Sequence, residues 1–387
     1  MNNELNSLED VVRSKEAISL EELQSVLAKT EPVSSVVIGR NGETQVSFTI
    51  PSDWAEGIKD IDGSSLTSCR ITIRGNSYVL TKNAILGYCR MVGLSDRYAS
   101  KCPANLLKSQ LEHWVTTEAI STSGSARAII VGEDRPKDSV RYVVGFSNPD
   151  LPVISNVKLL EAIKVVAQLG HATGQILVDS NVTNNYLHTD FRLFFPEKSF
   201  EVETYRDGED VTETWCLGVH ISNALVPNAK RLLSVSGMLY RLSPSKSIVL
   251  PEYSNLTMPK LTAEFSDEDI PNWAASMLGQ VFALLPAEAV LLQDAAKFDV
   301  TGRMGVLATD FFRTTKIHRK IQASALDHLA DSGTMTLYGL ISSLGQAATE
   351  SYTAIPYDVI NHVSRSCGIL LTRSDTICKT CGRFHLE

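Results

Sequence analysis

The sequence predicts an α+β fold, with an antiparallel β-sheet region followed by a helical C-terminal region. Three observations carry this expectation. Apolar residues alternate with polar ones at Phe191, Leu193 and Phe195, then again at Trp215, Leu217, Val219 and Ile221, the period of a strand with one buried face. Asp207-Gly208-Glu209-Asp210 supplies turn chemistry between the two runs. From Ile270 the pattern is helical and stays so, which puts strands first and helices last.

The elements follow in order. Leu5 to Lys29 reads as helical, and Ser19-Leu20-Glu21-Glu22 fits a capping box, in which serine and glutamate each satisfy one of the helix's free N–H groups. Gln45 to Ile50 and Arg70 to Leu80 read as strands, and Asn83 to Met91 and Ala104 to Thr116 as helices. Ser121-Thr122-Ser123-Gly124-Ser125 is a polar joint. Strands at Arg127–Val131 and Val140–Phe146 precede a helix capped by Asn156, whose Leu159, Leu160, Ile163, Val166 and Ala167 share one face. Leu232 to Leu242 is a further strand, so an antiparallel sheet is expected between about residues 127 and 250. Helices are expected from Asn272, Ala287, Lys320, Thr334 and Tyr357, with Pro286 and Pro356 at helix starts.

A chain of 387 residues exceeds the usual size of one core. The expected division is 1–120, an N-terminal helix plus a small α/β region; 121–255, the antiparallel sheet; and 256–387, the helical region with a Cys/His tail. Hydrophobic residues at 43% and charged residues at 21% are globular values. A net charge of -8 argues against coating nucleic acid by overall charge, though not against a local basic groove. Glu264-Phe265-Ser266-Asp267-Glu268-Asp269 reads as solvated surface. Seven cysteines, an odd number, read as reduced thiols or ligands. Met1-Asn2-Asn3-Glu4-Leu5 lacks a signal-peptide pattern, and the apolar stretch Ala274–Leu292 is broken by Gln280, Pro286 and Glu288. The expectation is a cytoplasmic protein without a membrane span.

Four groups of residues have chemical potential. Cys378-Lys379-Thr380-Cys381-Gly382 suits a zinc knuckle, with Cys367 and His385 completing a tetrahedral structural site and His362 as a further candidate ligand. Phe311-Phe312-Arg313-Thr314-Thr315-Lys316-Ile317-His318-Arg319-Lys320 is basic and aromatic. Arg313, Lys316 and Lys320 on one helical face, with His318 and Arg319 beside them, would track single-stranded DNA while the rings stack on bases. The plainer reading puts both phenylalanines in the core. His188 and Asp190 project together from a strand, as an acid–base pair or, the favoured reading, a structural one, and Cys216 and His220 share a face, as a ligand pair or, more simply, in structural roles. No phosphate loop, dinucleotide turn, H-E-x-x-H or G-x-S-x-G is present.

Gly218-Val219-His220-Ile221-Ser222-Asn223, Leu233-Ser234-Val235 and Leu239-Tyr240-Arg241-Leu242 resemble the phage- and plasmid-encoded proteins grouped as domain of unknown function 932. Those proteins show a G-V-x-I-x-N-S segment and then a strand ending in R-L. Ala128 to Val131, Phe146-Ser147-Asn148, Ile154-Ser155-Asn156 and Thr336-Leu337-Tyr338-Gly339-Leu340 with Gln346-Ala347-Ala348 are similar to other blocks of that family. Ser243-Pro244-Ser245-Lys246 stands where the family has Cys and Asn-Gly, and Ala224 where it has an acidic residue. The resemblance implies a mobile-element origin and the host cytoplasm. The expected function is a non-catalytic accessory of DNA metabolism that binds or anneals single-stranded DNA as a homo-oligomer. The alternative is a virion structural or assembly protein.

Overall fold

The structure, a computed structural model, describes residues 17–28, 31–39, 45–59, 65–116, 125–132, 141–147, 151–170, 175–179, 183–184, 188–206, 208–224, 233–241, 246–249, 265–350, 357–378 and 382–384. It is α+β, with two sheets early in the chain and helices late. A short strand β1 (Ala17–Ile18) leads into α1 (Leu20–Ala28). The capping box forms: Glu22 N donates to Ser19 Oγ at 3.1 Å, and Ser19 N donates to Glu22 Oε2 at 2.8 Å.

The first sheet contains β2 (Ser34–Gly39), β3 (Val46–Thr49), β4 (Leu66–Ile73), β5 (Asn76–Thr81), β6 (Ser125–Gly132) and β7 (Arg141–Ser147), in the order β2-β6-β7-β5-β4-β3. Helices α2 (Trp54–Gly57), α3 (Lys82–Met91), α4 (Asp96–Ala99) and α5 (Ala104–Thr116) fall between β3 and β6 in sequence. The stretch expected as one strand from Arg70 to Leu80 folds back on itself at Arg74-Gly75, where φ is 52° and 83°. Positive φ at both central residues matches the twist of a tight hairpin, and only the glycine adopts it freely. Phe48, Ile71, Leu80, Ile130, Val143 and Phe146 close a core with Tyr88 of α3 and Leu111 of α5.

β6 and β7 lie beyond the expected division at residue 120, yet they complete this sheet by pairing with β2 and, in parallel, with β5. The polar joint at 121–125 therefore does not separate one sheet from the next. Local composition marks a loop, whereas strand pairing is non-local. The opposite face of β6 and β7, at Ile129, Tyr142 and Val144, enters the larger core with α1, α6 (Asn156–Gly170) and the second sheet.

That second sheet runs β1-β8-β10-β11-β12-β13, with β9 also beside β10. Its members are β8 (Leu177–Asp179), β9 (Thr183–Asn184), β10 (His188–Arg206), β11 (Glu209–Ala224), β12 (Leu233–Arg241) and β13 (Lys246–Val249), all paired antiparallel to their neighbours. The expected turn chemistry closes β10 onto β11, from Arg206↔Glu209 to His188↔Ala224, with Gly208 at φ 88°. The register shifts between Phe195 and Ser199, the segment that holds Pro196, where no ladder hydrogen bond is lost to the missing N–H. Gly218 sits where a Cβ would lie 2.6 Å from the Leu193 carbonyl oxygen, so the strands approach too closely there for a side chain.

The helices that follow are α7 (Ile270–Lys297), α8 (Met304–Thr315), α9 (Arg319–Ser332), α10 (Leu337–Glu350) and α11 (Tyr357–Thr372). Two helices were expected where α7 runs unbroken through Pro286. Phe282, Leu285, Ala289 and Leu292 are buried on both sides of the proline, so packing carries the helix across the lost hydrogen bond. By length and composition α7 could cross a membrane; here Trp273, Met277, Val281 and Leu285 pack into the large core with Phe191, Leu193 and Leu239 of the second sheet.

Candidate functional site

Alternation along β10 sends two kinds of residue to opposite faces. Phe191, Leu193 and Phe195 enter the large core with Val219 and Ile221 of β11 and Val235 of β12. The intervening residues, His188, Asp190, Arg192 and Phe194, share the other face, opposite Ala224, Ser222, His220 and Gly218. Phe194 stacks on Tyr240 with ring centroids 4.1 Å apart and joins a small separate core with Leu177, Cys216 and Met238. The other three form a polar cluster.

Asp190 is its centre and is fully buried. Its Oδ2 lies 3.0 Å from His188 Nε2 and its Oδ1 3.2 Å from His220 Nε2. Asn361 of α11 donates from Nδ2 to Asp190 Oδ2 at 3.5 Å and accepts from Arg192 at 3.1 Å. Arg192 also pairs with Asp179 of β8 at 3.3 Å. One charged network thus ties β8, β10 and β11 to the last long helix. Burial pulls the Asp190 carboxyl up, but the hydrogen bonds and charges of His188 and His220 outweigh it and hold the group well below the usual carboxylate range. Burial, with the nearby charges of Arg192 and Arg365, depresses His220 despite its bond to Asp190.

Ser222, His188 and Asp190 are the residue types of a nucleophilic triad. Their geometry is different. Ser222 Oγ lies 3.0 Å from His188 Nε2, the same nitrogen that faces Asp190. A relay needs the nucleophile on one ring nitrogen and the orienting carboxylate on the other, so this arrangement does not activate the serine. Cys216 and His220 share a face as expected but have separate partners. Cys216 Sγ faces the Tyr240 carbonyl at 3.4 Å, and burial pushes its thiol far above the ordinary value, away from the thiolate a ligand or nucleophile requires.

Two further polar groups brace the sheet. Asn156 was expected to cap α6. Ser155 does so, accepting from Lys158 N at 3.1 Å. This leaves the Asn156 side chain to bond Thr189 at 3.2 Å and Asn223 at 2.8 Å, joining the helix to the end of the β10–β11 ladder. On β11, Glu213 pairs with Arg241 at 3.1 Å and accepts a short hydrogen bond from Tyr338 of α10. Tyr338 in turn accepts from Trp215 Nε1 at 3.1 Å. Burial and the Glu213 carboxylate push the Tyr338 phenol well above its ordinary value, so it stays a donor.

The basic run does not form one helical face. α8 ends at Thr315, Lys316 is left-handed with φ 56°, and His318 caps α9 by accepting from Lys320 N at 3.4 Å. Phe311 and Phe312 are buried, and Phe311 packs on Phe384 at 5.5 Å, so neither ring is available to stack on bases. Arg313, Lys316, His318, Arg319 and Lys320 are all exposed. Arg313 pairs with Asp310 at 2.9 Å, while Lys316, Arg319 and Lys320 form no ion pair among the described residues. A helix was expected to begin at Lys320, and α9 begins at Arg319; the left-handed Lys316 that keeps the run off one helical face has no signature in local pattern.

Of the expected zinc ligands, Cys381 and His385 lie outside the described residues. The Cys378 carbonyl accepts from Gly382 N at 2.8 Å, and the Cys378 N–H donates to the Arg383 carbonyl at 2.9 Å. Gly382 has φ 73°, the conformation the knuckle motif needs. Cys367 is buried on α11 with its Sγ 3.9 Å from the Ile341 carbonyl oxygen. His362 Nε2 lies 2.6 Å from the carbonyl oxygen of Thr315 at the end of α8. No group of three candidate metal ligands converges among the described residues.

No family model, curated protein or solved structure matches the chain. The segments that resemble the phage and plasmid family fall on β6, β7, α6, β11, β12 and α10. Sequence reasoning found His188 with Asp190 but missed Asp179, Arg192 and Asn361. Arg192 has a signal: it is a charge at an alternate position of a strand whose neighbours are all apolar or paired. Asp179 and Asn361, 13 and 169 residues from it, have none.

Proposed function

We propose that this chain is a non-catalytic accessory protein of a mobile element that holds single-stranded DNA by its phosphates. The observation that carries the reading is the corner between α8 and α9. Lys316 occupies a left-handed position that glycine would fill without strain, and it does so exposed beside Arg319 and Lys320. Backbone strain kept in a cationic surface residue favours a role for its charge. With the phenylalanines in the core, recognition rests on phosphate charge and not on base stacking, so binding should be indifferent to sequence and steeply dependent on salt. Annealing and self-association belong to the same reading. A structural zinc at Cys367, Cys378, Cys381 and His385 would clamp the tail, and the bond from Gly382 N to the Cys378 carbonyl suits it; metal content of the purified chain, before and after Cys378→Ser, tests that part.

Fluorescence anisotropy of a labelled oligothymidylate across a salt series tests the binding. Each phosphate contact on a single strand contributes about -0.7 to the slope of log affinity against log salt. Removing Lys316, Arg319 and Lys320 together should flatten the slope by roughly 2. Lys316→Gly alone should flatten it by about 0.7 without lowering the unfolding midpoint, because glycine relieves the left-handed strain. Absence of binding at low salt, or an unchanged slope in the triple variant, removes the reading.

A further inference from the structure

Where the far end of the β10–β11 hairpin meets α9 and α10, the surface opens into a cavity of about 330 Å³. That is at the small end of ligand pockets, which span about 300–1,000 Å³, and admits one ring with its substituents. The cavity is far from the basic corner in purpose and chemistry. Its wall carries several hydroxyl groups, and two of them bond no other side chain or backbone group among the described residues.

Thr204 and Ser343 are the deciding residues. Both line the cavity, both are more than nine-tenths buried at 8% and 5% exposure, and neither side-chain hydroxyl makes a hydrogen bond among the described residues. Other hydroxyls on these late helices, such as Thr309, Thr315 and Thr372, bond the carbonyl four residues back. Ser343 does not, which leaves its hydroxyl to the cavity. Neither hydroxyl is among the buried side-chain atoms left without a partner, so both oxygens open onto the cavity, where a ligand's hydroxyls can take the place of water. Asp331 also lines the space without a hydrogen bond or ion pair. Gln346 donates to Glu350 at 3.1 Å, leaving its carbonyl oxygen to accept.

This wall has a rigid floor. Tyr338 is held from behind by Glu213 and Trp215, and Glu213 by Arg241. At the rim Tyr205 presents a ring that is 51% exposed. An aromatic face beside convergent hydroxyl, carboxylate and amide groups suits an apolar ring face whose edge carries several donors. Anions are disfavoured by Asp331 and by Glu350, which pairs with His328 at 2.8 Å at the same wall.

We infer that this cavity binds a neutral ring bearing vicinal hydroxyls, of monosaccharide or nucleoside size, through Thr204, Ser343, Asp331 and Gln346, with the ring face against Tyr205. The hydroxyls of Thr204 and Ser343 each donate and accept. Asp331 and the Gln346 carbonyl accept from adjacent ligand hydroxyls. The reading is independent of nucleic-acid binding at the α8–α9 corner and survives its failure.

Saturation-transfer NMR on the whole chain tests it with glucose, galactose, mannose, ribose, adenosine and uridine, and with cyclohexanol and choline as controls. Transfer to ring protons from the sugars or from the nucleosides is expected, and which group responds identifies the source of the ring. Thr204→Val and Ser343→Ala, each checked for an unchanged thermal melt, should weaken that ligand on the order of tenfold, the usual result of leaving one hydrogen bond unmade. Two variants on different elements keep the test usable if one fails to fold. Transfer to choline or cyclohexanol alone, to no ligand at all, or at undiminished affinity in the folded variants, overturns the proposal.

Discussion

Asp190→Ala should lower stability by about 3–5 kcal/mol, the usual result of removing one member of a buried charged network. The carboxylate is the shared partner of His188, His220 and Asn361, so its loss strips bonds from two strands and the last long helix at once. Thermal unfolding followed by circular dichroism should show a midpoint lower by roughly 4–6 °C for a chain of this size. Asp190→Asn keeps the shape and should fall between the two. A melt of Asp190→Ala within a degree of the native protein would show that the network contributes nothing.

The same network sets a pH dependence whose sign follows from the two groups. His220 is depressed when folded, so below about pH 6.5 the unfolded chain takes up a proton that the folded one refuses. Its contribution is full above that value and is lost as pH falls. Asp190 is also depressed, so its contribution is present above about pH 3.9 and is lost in stronger acid. Stability should therefore decline in two stages on acidification. His220→Gln should flatten the first stage and leave the second. A rise in the midpoint between neutral pH and pH 5 would contradict the assignment.

Glu213→Ala is the second large effect, again about 3–5 kcal/mol, because it leaves Arg241 without its carboxylate and Tyr338 without its acceptor. The pair itself carries less than its breakage suggests. Replacing both members, as Glu213→Leu with Arg241→Met, exchanges two desolvated charges for apolar volume, and such exchanges are often neutral or stabilising. Urea titrations should place the double variant well above either single one. If the double variant is instead the least stable of the three, the ion pair contributes net stability and the argument from desolvation fails here.

Some of this molecule is written in neighbouring residues. The capping box at Ser19, the turn at Gly208 and the alternation of β10, β11 and β12 each depend on bonds or side-chain directions within a few positions. The same alternation made His188 and Asp190 visible as a pair, because residues two apart on a strand face the same way. The strand-then-helix order, and so the α+β class, follows from these local periods.

What local pattern left open is of another kind. It marked a loop at 121–125 but not that β6 and β7 would close the sheet begun by β2 and β5. It marked Pro286 as a helix start, whereas buried neighbours on both sides carry α7 through it. It displayed Phe311 and Phe312 beside lysine and arginine, and the fold turned the rings inward and the charges outward. Asp179, His220 and Asn361 reach one carboxylate–guanidinium cluster from distant parts of the chain. Hydrogen-bond partners, burial and cavity walls are made where separate segments meet, and the free energy that places them there is the burial of the whole apolar surface, which no short window of residues records.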